Sequence, residues 1–390
     1  MPGPAVPFPQ DVAVVAMNAT WEGPSSGARR FYVDENGTFT VEDLIVSIYE
    51  EGRERALVGL EVGPNGEFAA AFCHGWCYGT SLPVTVRRSE DGGITWNDVV
   101  TIEEGGWGSL LGVDAESVLA RKWETPNDYD VVRIDGETTE PIGPSLGLPA
   151  DVHFFPRFVD GEVRLAAAAF GGEAVWDYET GSTLFELPAP PAGTHVSHRG
   201  FTYAGGNERY AFDWYPQTTG VQRGYMGLID GATGAVKSMY EWRREDGLGD
   251  FHLAGWLSPT VAIARAEFRT ADYIASPAGP EEFGTTPAIV DFEARTVSPI
   301  SEFVPALLGK AGGPVPYQVL VGPFARVEPG SGCLNVRSQP NTEAEVLACY
   351  TTGVLLRIRD DDGGSNDGWT PVMTPLGVDG WASSEYLRLP

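Results

Sequence analysis

The chain has 390 residues, of which 49 are Gly and 30 Pro, and aromatic residues make up 11%. With no long heptad or amphipathic helical pattern, that composition favours short strands joined by tight turns, so the expected fold class is all-β. The formal charge of −28, from 54 acidic against 26 basic residues, would repel a phosphate backbone and sets nucleic acid aside as a partner.

No apolar run approaches the roughly 18 residues that a membrane helix needs, so no transmembrane segment is expected. The opening MPGPAVPFPQ has neither the basic region nor the apolar stretch of a signal peptide. Its prolines suggest an extended arm over residues 1–10, able to lie against a neighbouring subunit and support self-assembly. Four cysteines fall into two local groups, Cys73 with Cys77 and Cys333 with Cys349. Four cysteines allow three pairings, and the local one holds if the groups lie in different domains. Two disulfides would imply an oxidising compartment, hence an extracellular or cell-surface protein in which Met1 stands where an export signal was removed.

In chain order, one unit recurs: a strand, a turn carrying an acidic residue, and a second strand. It appears around Asp34, Asp91, Asp135, Asp177, Asp230 and Asp291, at intervals of 57, 44, 42, 53 and 61 residues. These intervals are close to or slightly above the roughly 40 to 50 residues of a four-stranded propeller blade. Upstream of each turn runs a strand of small residues ending in an aromatic: Trp21, Trp76, Trp123, Phe170, Trp214 and Phe268. Small residues let neighbouring sheets approach near a crowded axis, and the aromatic fills the wider gap between blades. Residues 11–303 therefore read as a six-bladed β-propeller, with seven blades as the alternative and the first blade completed by a strand from the far end of the domain.

Within the second unit, Ser89, Asp91, Gly93, Thr95 and Trp96 spell SEDGGITW, which resembles the Asp-box of sialidases and related propellers. That resemblance implies a structural turn in which the Asp side chain caps the backbone and Trp96 packs into the sheet. Sialidase chemistry itself needs three arginines, a nucleophilic Tyr with a Glu partner, and an acid Asp. Arg121, Arg157, Arg199, Arg265 and Tyr203 are available, but the arginine motif expected near the first blade is absent. The turn indicates a propeller and not a sialidase.

After Phe303 a Gly and Pro connector covers 304–317, and residues 318–390 resemble a bacterial SH3-type domain. The resemblance rests on Leu334-Asn335-Val336-Arg337-Ser338 with Pro340, on Gly353, on Gly368-Trp369, and on the closing Gly380 to Leu387 segment. It implies attachment to cell-wall peptides or glycans, or to another envelope protein. A Cys333–Cys349 disulfide matches exported members, and Tyr350, Trp369, Trp381 and Tyr386 are the candidate groove aromatics.

Three histidines fall at a common point of consecutive blades: His153, His198 and His252 lie 18, 21 and 22 residues past Asp135, Asp177 and Asp230. At one channel mouth, three imidazoles would suit a divalent metal with an open position, and Arg199 or Asp250 would orient a substrate. His195 offers a substitute for His198. No cofactor is otherwise implied. The expected function is a binding or scaffold protein, with two alternatives: a subunit of an extracellular assembly, and a glycan hydrolase or lyase using the channel mouth.

Overall fold

The computed structural model describes residues 2–17, 27–34, 36–46, 48–50, 53–63, 67–74, 83–89, 91, 93–102, 107–114, 116–125, 128–136, 138–143, 152–159, 162–169, 174–189, 192–204, 207–216, 223–230, 233–274, 282–308, 315–330, 332–359, 368–374 and 378–388. Blade 1 starts with β1 (Val12–Met17), β2 (Gly27–Val33) and β3 (Phe39–Val46). Blade 2 follows with β4 (Ile48–Glu50), β5 (Arg53–Val62), β6 (Phe68–Cys73), β7 (Val84–Ser89) and β8 (Asn97–Ile102), where β4 is a short hairpin extension of β5. Blade 3 holds β9 (Trp107–Val113), β10 (Val118–Thr125), β11 (Asp128–Asp135) and β12 (Thr138–Pro141). Blade 4 holds β13 (Val152–Val159), β14 (Glu162–Ala169), β15 (Ala174–Asp177) and β16 (Thr183–Glu186). Blade 5 holds β17 (Thr194–Ala204), β18 (Asn207–Pro216), β19 (Arg223–Asp230) and β20 (Val236–Arg243). Blade 6 holds β21 (Leu248–Ser258), β22 (Val261–Arg269), β23 (Phe283–Asp291) and β24 (Thr296–Pro299), followed by a 3-10 helix, Ser301–Leu308.

The next strand, β25 (Val315–Val321), pairs antiparallel with β1 and becomes the innermost strand of blade 1. Each sheet is antiparallel, and the innermost strands β25, β5, β9, β13, β17 and β21 adjoin one another around a closed ring. This is a six-bladed propeller, as the turn spacing implied. The boundary after residue 303 is corrected: residues 315–321, expected in the connector and the tail domain, belong to the ring. A cyclic sheet array leaves an open first blade, and a late strand closes it.

Six apolar clusters fill the six gaps between blades. Ala69, Ala71 and Ala120 pack between blades 2 and 3, Ala166 and Ala168 between 4 and 5, and Ala262, Ala264 and Ala266 between 5 and 6. Small residues thus hold the second strand of each blade near the axis, and Phe268 fills the wider part of its gap. Trp21, Trp76 and Phe170 lie outside the described residues.

The N-terminal arm is spent within the chain. Gly3 and Val6 donate to the Val297 and Pro299 carbonyls at 2.9 and 3.0 Å, and Ser301 N–H donates to Val6 O at 2.7 Å, which adds a parallel edge to blade 6. The Tyr273 hydroxyl donates to Gly3 O at 2.7 Å, and its burial pushes it up to about 12. Phe8, 3% exposed, meets Phe39 and Phe303 at 5.3 and 6.4 Å. The expectation of an arm reaching to a neighbouring subunit is corrected accordingly: its backbone and its aromatic clamp blade 6 to blade 1.

Residues from Phe324 onward form a separate small barrel of β26 (Phe324–Val327), β27 (Leu334–Arg337), β28 (Val346–Tyr350), β29 (Leu355–Ile358), β30 (Trp369–Met373), β31 (Asp379–Ser383) and β32 (Leu387–Arg388). The strand order is β28-β27-β31-β30-β29-β26-β32, around a core that includes Val336, Leu356, Val372 and Ala382. Cys333 and Cys349 are disulfide-bonded, with Cα atoms 5.5 Å apart. Closing a loop of this size contributes about 3 kcal/mol, a large share for so small a core. Cys73 is also disulfide-bonded and fully buried, while its expected partner Cys77 lies outside the described residues.

Candidate functional site

Successive antiparallel strands give the ring two unlike ends. The hairpins between first and second strands and all six acidic turns lie at one end, called here the turn end; the remaining connections form the loop end.

At the turn end, carboxylates are used as backbone caps. Asp91 Oδ1 accepts from the Ile94 and Thr95 N–H groups at 3.1 and 2.8 Å, and Ser89 Oγ accepts Gly93 N–H at 2.8 Å. Gly93 takes φ +93, a conformation a side chain resists. The Trp96 indole donates to Gly93 O at 3.0 Å and packs edge-on against Phe68. Asp34, Asp177 and Asp291 cap their own turns in the same way. Bonds also cross between blades. Asp114, 3% exposed, accepts from Ser117 N–H and from Val163 N–H of blade 4, both at 2.7 Å. Arg133 spans Ser117 Oγ and Glu179 Oε1 at 2.8 and 3.3 Å.

The C-terminal barrel sits at this same end. β25 runs out at Val321, and Gly322 N–H donates to Asp11 O at 3.0 Å. Ala13 and Tyr32 of blade 1 pack with Phe324 and Leu355 of the barrel. Glu42 lies between two guanidiniums, Arg326 of the barrel at 3.3 Å and buried Arg30 of blade 1 at 3.2 Å. Arg326 also donates to the Tyr32 hydroxyl. Burial pulls the Arg30 guanidinium below its usual range while Glu42 opposes the shift. None of these junction residues carried a signal readable from the sequence alone.

In the barrel, the ladder pair Pro371↔Trp381 and the i+2 spacing of Trp369 put both tryptophans on the face opposite the core residues Val372 and Ala382. Arg337 and then Val346 continue that face across β27 and β28. Tyr350 does not belong with them: it is 5% exposed and packs in the core, a correction that follows from its pairing with buried Leu334. Tyr386 stands on a 3-10 turn outside the sheet, 38% exposed.

Toward the loop end, His153, His198 and His252 all lie on innermost strands, in blades 4, 5 and 6. Their ladder partners separate them. His153 pairs with Ala168 and His198 with Phe212, and both partners pack in the gap between blades 4 and 5. His252 pairs with Arg265, whose neighbours Ala264 and Ala266 face blade 5, so His252 and Arg265 stand on the face toward blade 1. Two of the three expected positions therefore flank one gap, and the third flanks another. His153 and His252 are exposed; the side chains of His195, His198, Arg199 and Asp250 lie outside the described residues. Among the described residues no group of His, Cys, Asp and Glu is arranged to hold a metal ion.

Bulges also interrupt the innermost strands. β5, β17 and β21 each carry an extra residue, Val58, Arg199 and Ala254, immediately before Gly59, Gly200 and Gly255. A bulge shifts every later residue relative to its partner strand. β13 has no such shift. The glycine has a packing reason: a Cβ on Gly255 would come within 2.9 Å of Val319 in the next innermost strand, and one on Gly112 within 2.6 Å of Val163. Four of the six innermost strands, β5, β9, β17 and β21, carry at least one glycine, while β13 and β25 carry none.

The bacterial SH3 domain family matches residues 332–388. The C-terminal barrel is a bacterial SH3 domain. No curated protein matches the chain. Among solved structures, TolB from Acinetobacter baumannii is similar at 13% identity, covering 74% of this chain and 63% of its own, with a TM-score of 0.43. An α-L-arabinofuranosidase from Fusarium graminearum bound to an iminosugar inhibitor has 10% identity, 70% and 86% coverage, and a TM-score of 0.36. Prolyl oligopeptidase B from Galerina marginata has 10% identity, 97% and 52% coverage, and a TM-score of 0.38. At these values none of their activities transfers to this chain. The SH3 domain thus rides on blade 1 at the turn end, and the loop end of the ring faces away from it.

Proposed function

We propose that this is an exported binding protein of the bacterial envelope, in which the SH3 domain contacts the cell wall or another envelope protein and the loop end of the ring recognises a second ligand. The observation that carries the reading is the seating of the SH3 domain on the turn end through Arg326, Glu42 and Tyr32. That seating uses residues of β26 and β29 and none of the tryptophan-bearing face, and it lies at the opposite end of the ring from the loop end. Disulfide bonding at Cys73 and at Cys333–Cys349 supports an oxidising compartment. Aromatic faces on a rigid sheet suit stacking on a sugar ring or a glycyl peptide.

Co-sedimentation with purified cell-wall sacculi tests the anchoring half. The full chain is expected in the pellet, and the full chain carrying Trp369→Ala and Trp381→Ala in the supernatant. Equal pelleting of the two proteins, or no pelleting by the parent, would sink the wall contact.

A second reading, a glycan hydrolase or lyase, is favoured by Glu61 on innermost strand β5, whose carboxyl burial pushes up to about 8, as a general acid requires. Its weakness is the partner. The innermost strands carry only Glu54, Glu61 and Asp250 as acids, and Asp250 stands toward the loop end of blade 6 while Glu61 sits one residue from the turn end of blade 2.

A further inference from the structure

In a chain with 54 acidic residues an arginine is expected to find a carboxylate, and the described residues follow that expectation with one half-buried exception. Every other half-buried arginine meets a carboxylate or a carbonyl oxygen, among them Arg157 with Asp177 at 2.9 Å and Arg244 with Glu267 at 3.3 Å. Among the described residues, Arg265 on β22 has no hydrogen bond or ion pair. Removing a guanidinium from water without a partner costs free energy, so such a residue is kept for a reason other than stability.

The described surroundings of Arg265 offer it few carboxylates. Its direct cross-strand partner is His252, a second base, about 5 Å away between Cβ atoms in such a pair. The strands of blade 1 that face it across the gap, β25 and β1, read VPYQVLV and VAVVAM and hold no acid. Glu267, two residues along on the same face, is held by Arg244, which also stacks over Phe283 with its Cζ 3.8 Å from the ring centroid. Asp250 is the other acid nearby, two residues before His252 on β21.

The wider pattern agrees. The six innermost strands hold three of the 54 acids but four of the five histidines, plus Arg53, Arg55, Arg157 and Arg199. The innermost strands are therefore poor in acids relative to the rest of an anionic protein.

We infer that Arg265 and His252 form the anchor of a carboxylate-binding site at the axial edge of the gap between blades 6 and 1. The planar guanidinium fork supplies paired donors to the two carboxylate oxygens, and His252 adds a further donor from the neighbouring strand. This deepens the recognition role given to the ring and rests on it. The ligand class is a small polar molecule bearing a carboxylate, carried either on an acidic sugar or on a peptide C-terminus.

Calorimetric titration of the full chain with soluble probes, in the absence of wall material, keeps this test separate from the anchoring role of the SH3 domain. The probes are galacturonate against galactose, and N-acetylalanine against N-acetylalaninamide. At least one acid is expected to bind tenfold or more tightly than its neutral counterpart, and which pair responds distinguishes sugar from peptide. Arg265→Gln is expected to abolish that preference, Arg265→Lys to keep part of it, and neither to lower the melting temperature of the ligand-free chain. A preference that survives Arg265→Gln, or the absence of any preference in the parent, overturns the assignment.

Discussion

The turn end and the axis of this ring treat polar groups in opposite ways. At the turn end Asp114, Ser117, Asp177 and Ser89 are buried, yet each is bonded, often to two or three backbone groups and sometimes to the next blade. On and beside the innermost strands, Arg265 and Glu61 have no hydrogen-bond or ion-pair partner among the described residues. Buried polar groups that are satisfied rigidify a fold, and those left without partners cost stability and are retained where a ligand or a proton is handled. The difference assigns holding to one end and recognition to the other.

The largest test of that division concerns closure. A chain ended after Leu308 lacks β25, so blade 1 keeps an unpaired innermost edge and the ring stays open. A chain ended after Gly322 keeps β25 and loses only the SH3 domain. Circular-dichroism melts should show one cooperative transition for the longer chain and none for the shorter. Cooperative unfolding of the shorter chain would break the view that holding depends on this strand.

A smaller effect is expected from a single stitch. Asp114→Ala leaves the N–H groups of Glu116, Ser117 and Val163 without their acceptor and severs the link from blade 3 to blade 4. At roughly 1 to 3 kcal/mol for each buried group left unmade, partly offset by water, the loss should be about 3 kcal/mol in denaturant unfolding. A loss near zero would mean that the bonded turns decorate the end without holding it.

Much of this division was legible in the sequence, because the features that mark the turn end are local. An acidic residue followed within four positions by small and hydroxylated residues is a turn wherever it stands, and six of them in one register count six blades. What stayed hidden is non-local. β25 follows a Gly and Pro connector and precedes the SH3 domain directly, so nothing near it reveals that its partner is Val12–Met17, some 300 residues earlier. The arm pairs with residues 297–301 for the same reason. The histidine spacing was readable, but the faces were not: each is set by a ladder pair, with Ala168, Phe212 and Arg265, that spacing does not reveal. Residue type alone makes Tyr350 a candidate groove aromatic, because it does not say which side of a strand is the core.

The smallest expected effect is the one that cuts across the comparison, since Glu61 stands at the turn end of the axis yet behaves like a group of the axis. Its ladder partner Ala69 is fully buried in the apolar gap between blades 2 and 3, and burial raises the carboxyl from 4.5 to about 8. In the unfolded chain the same group loses its proton near 4.5. Between those values the folded chain binds the proton more tightly, so the contribution is fully present at low pH and is lost as pH rises toward 8. Glu61→Gln removes the titration and keeps the shape. The variant and the parent should match near pH 4, and the variant should become the more stable by on the order of 1 kcal/mol at pH 8.5, with water near the partly exposed carboxyl screening the rest. If the two proteins keep the same stability at both pH values, Glu61 is bonded in solution, and the turn end is satisfied right up to the axis.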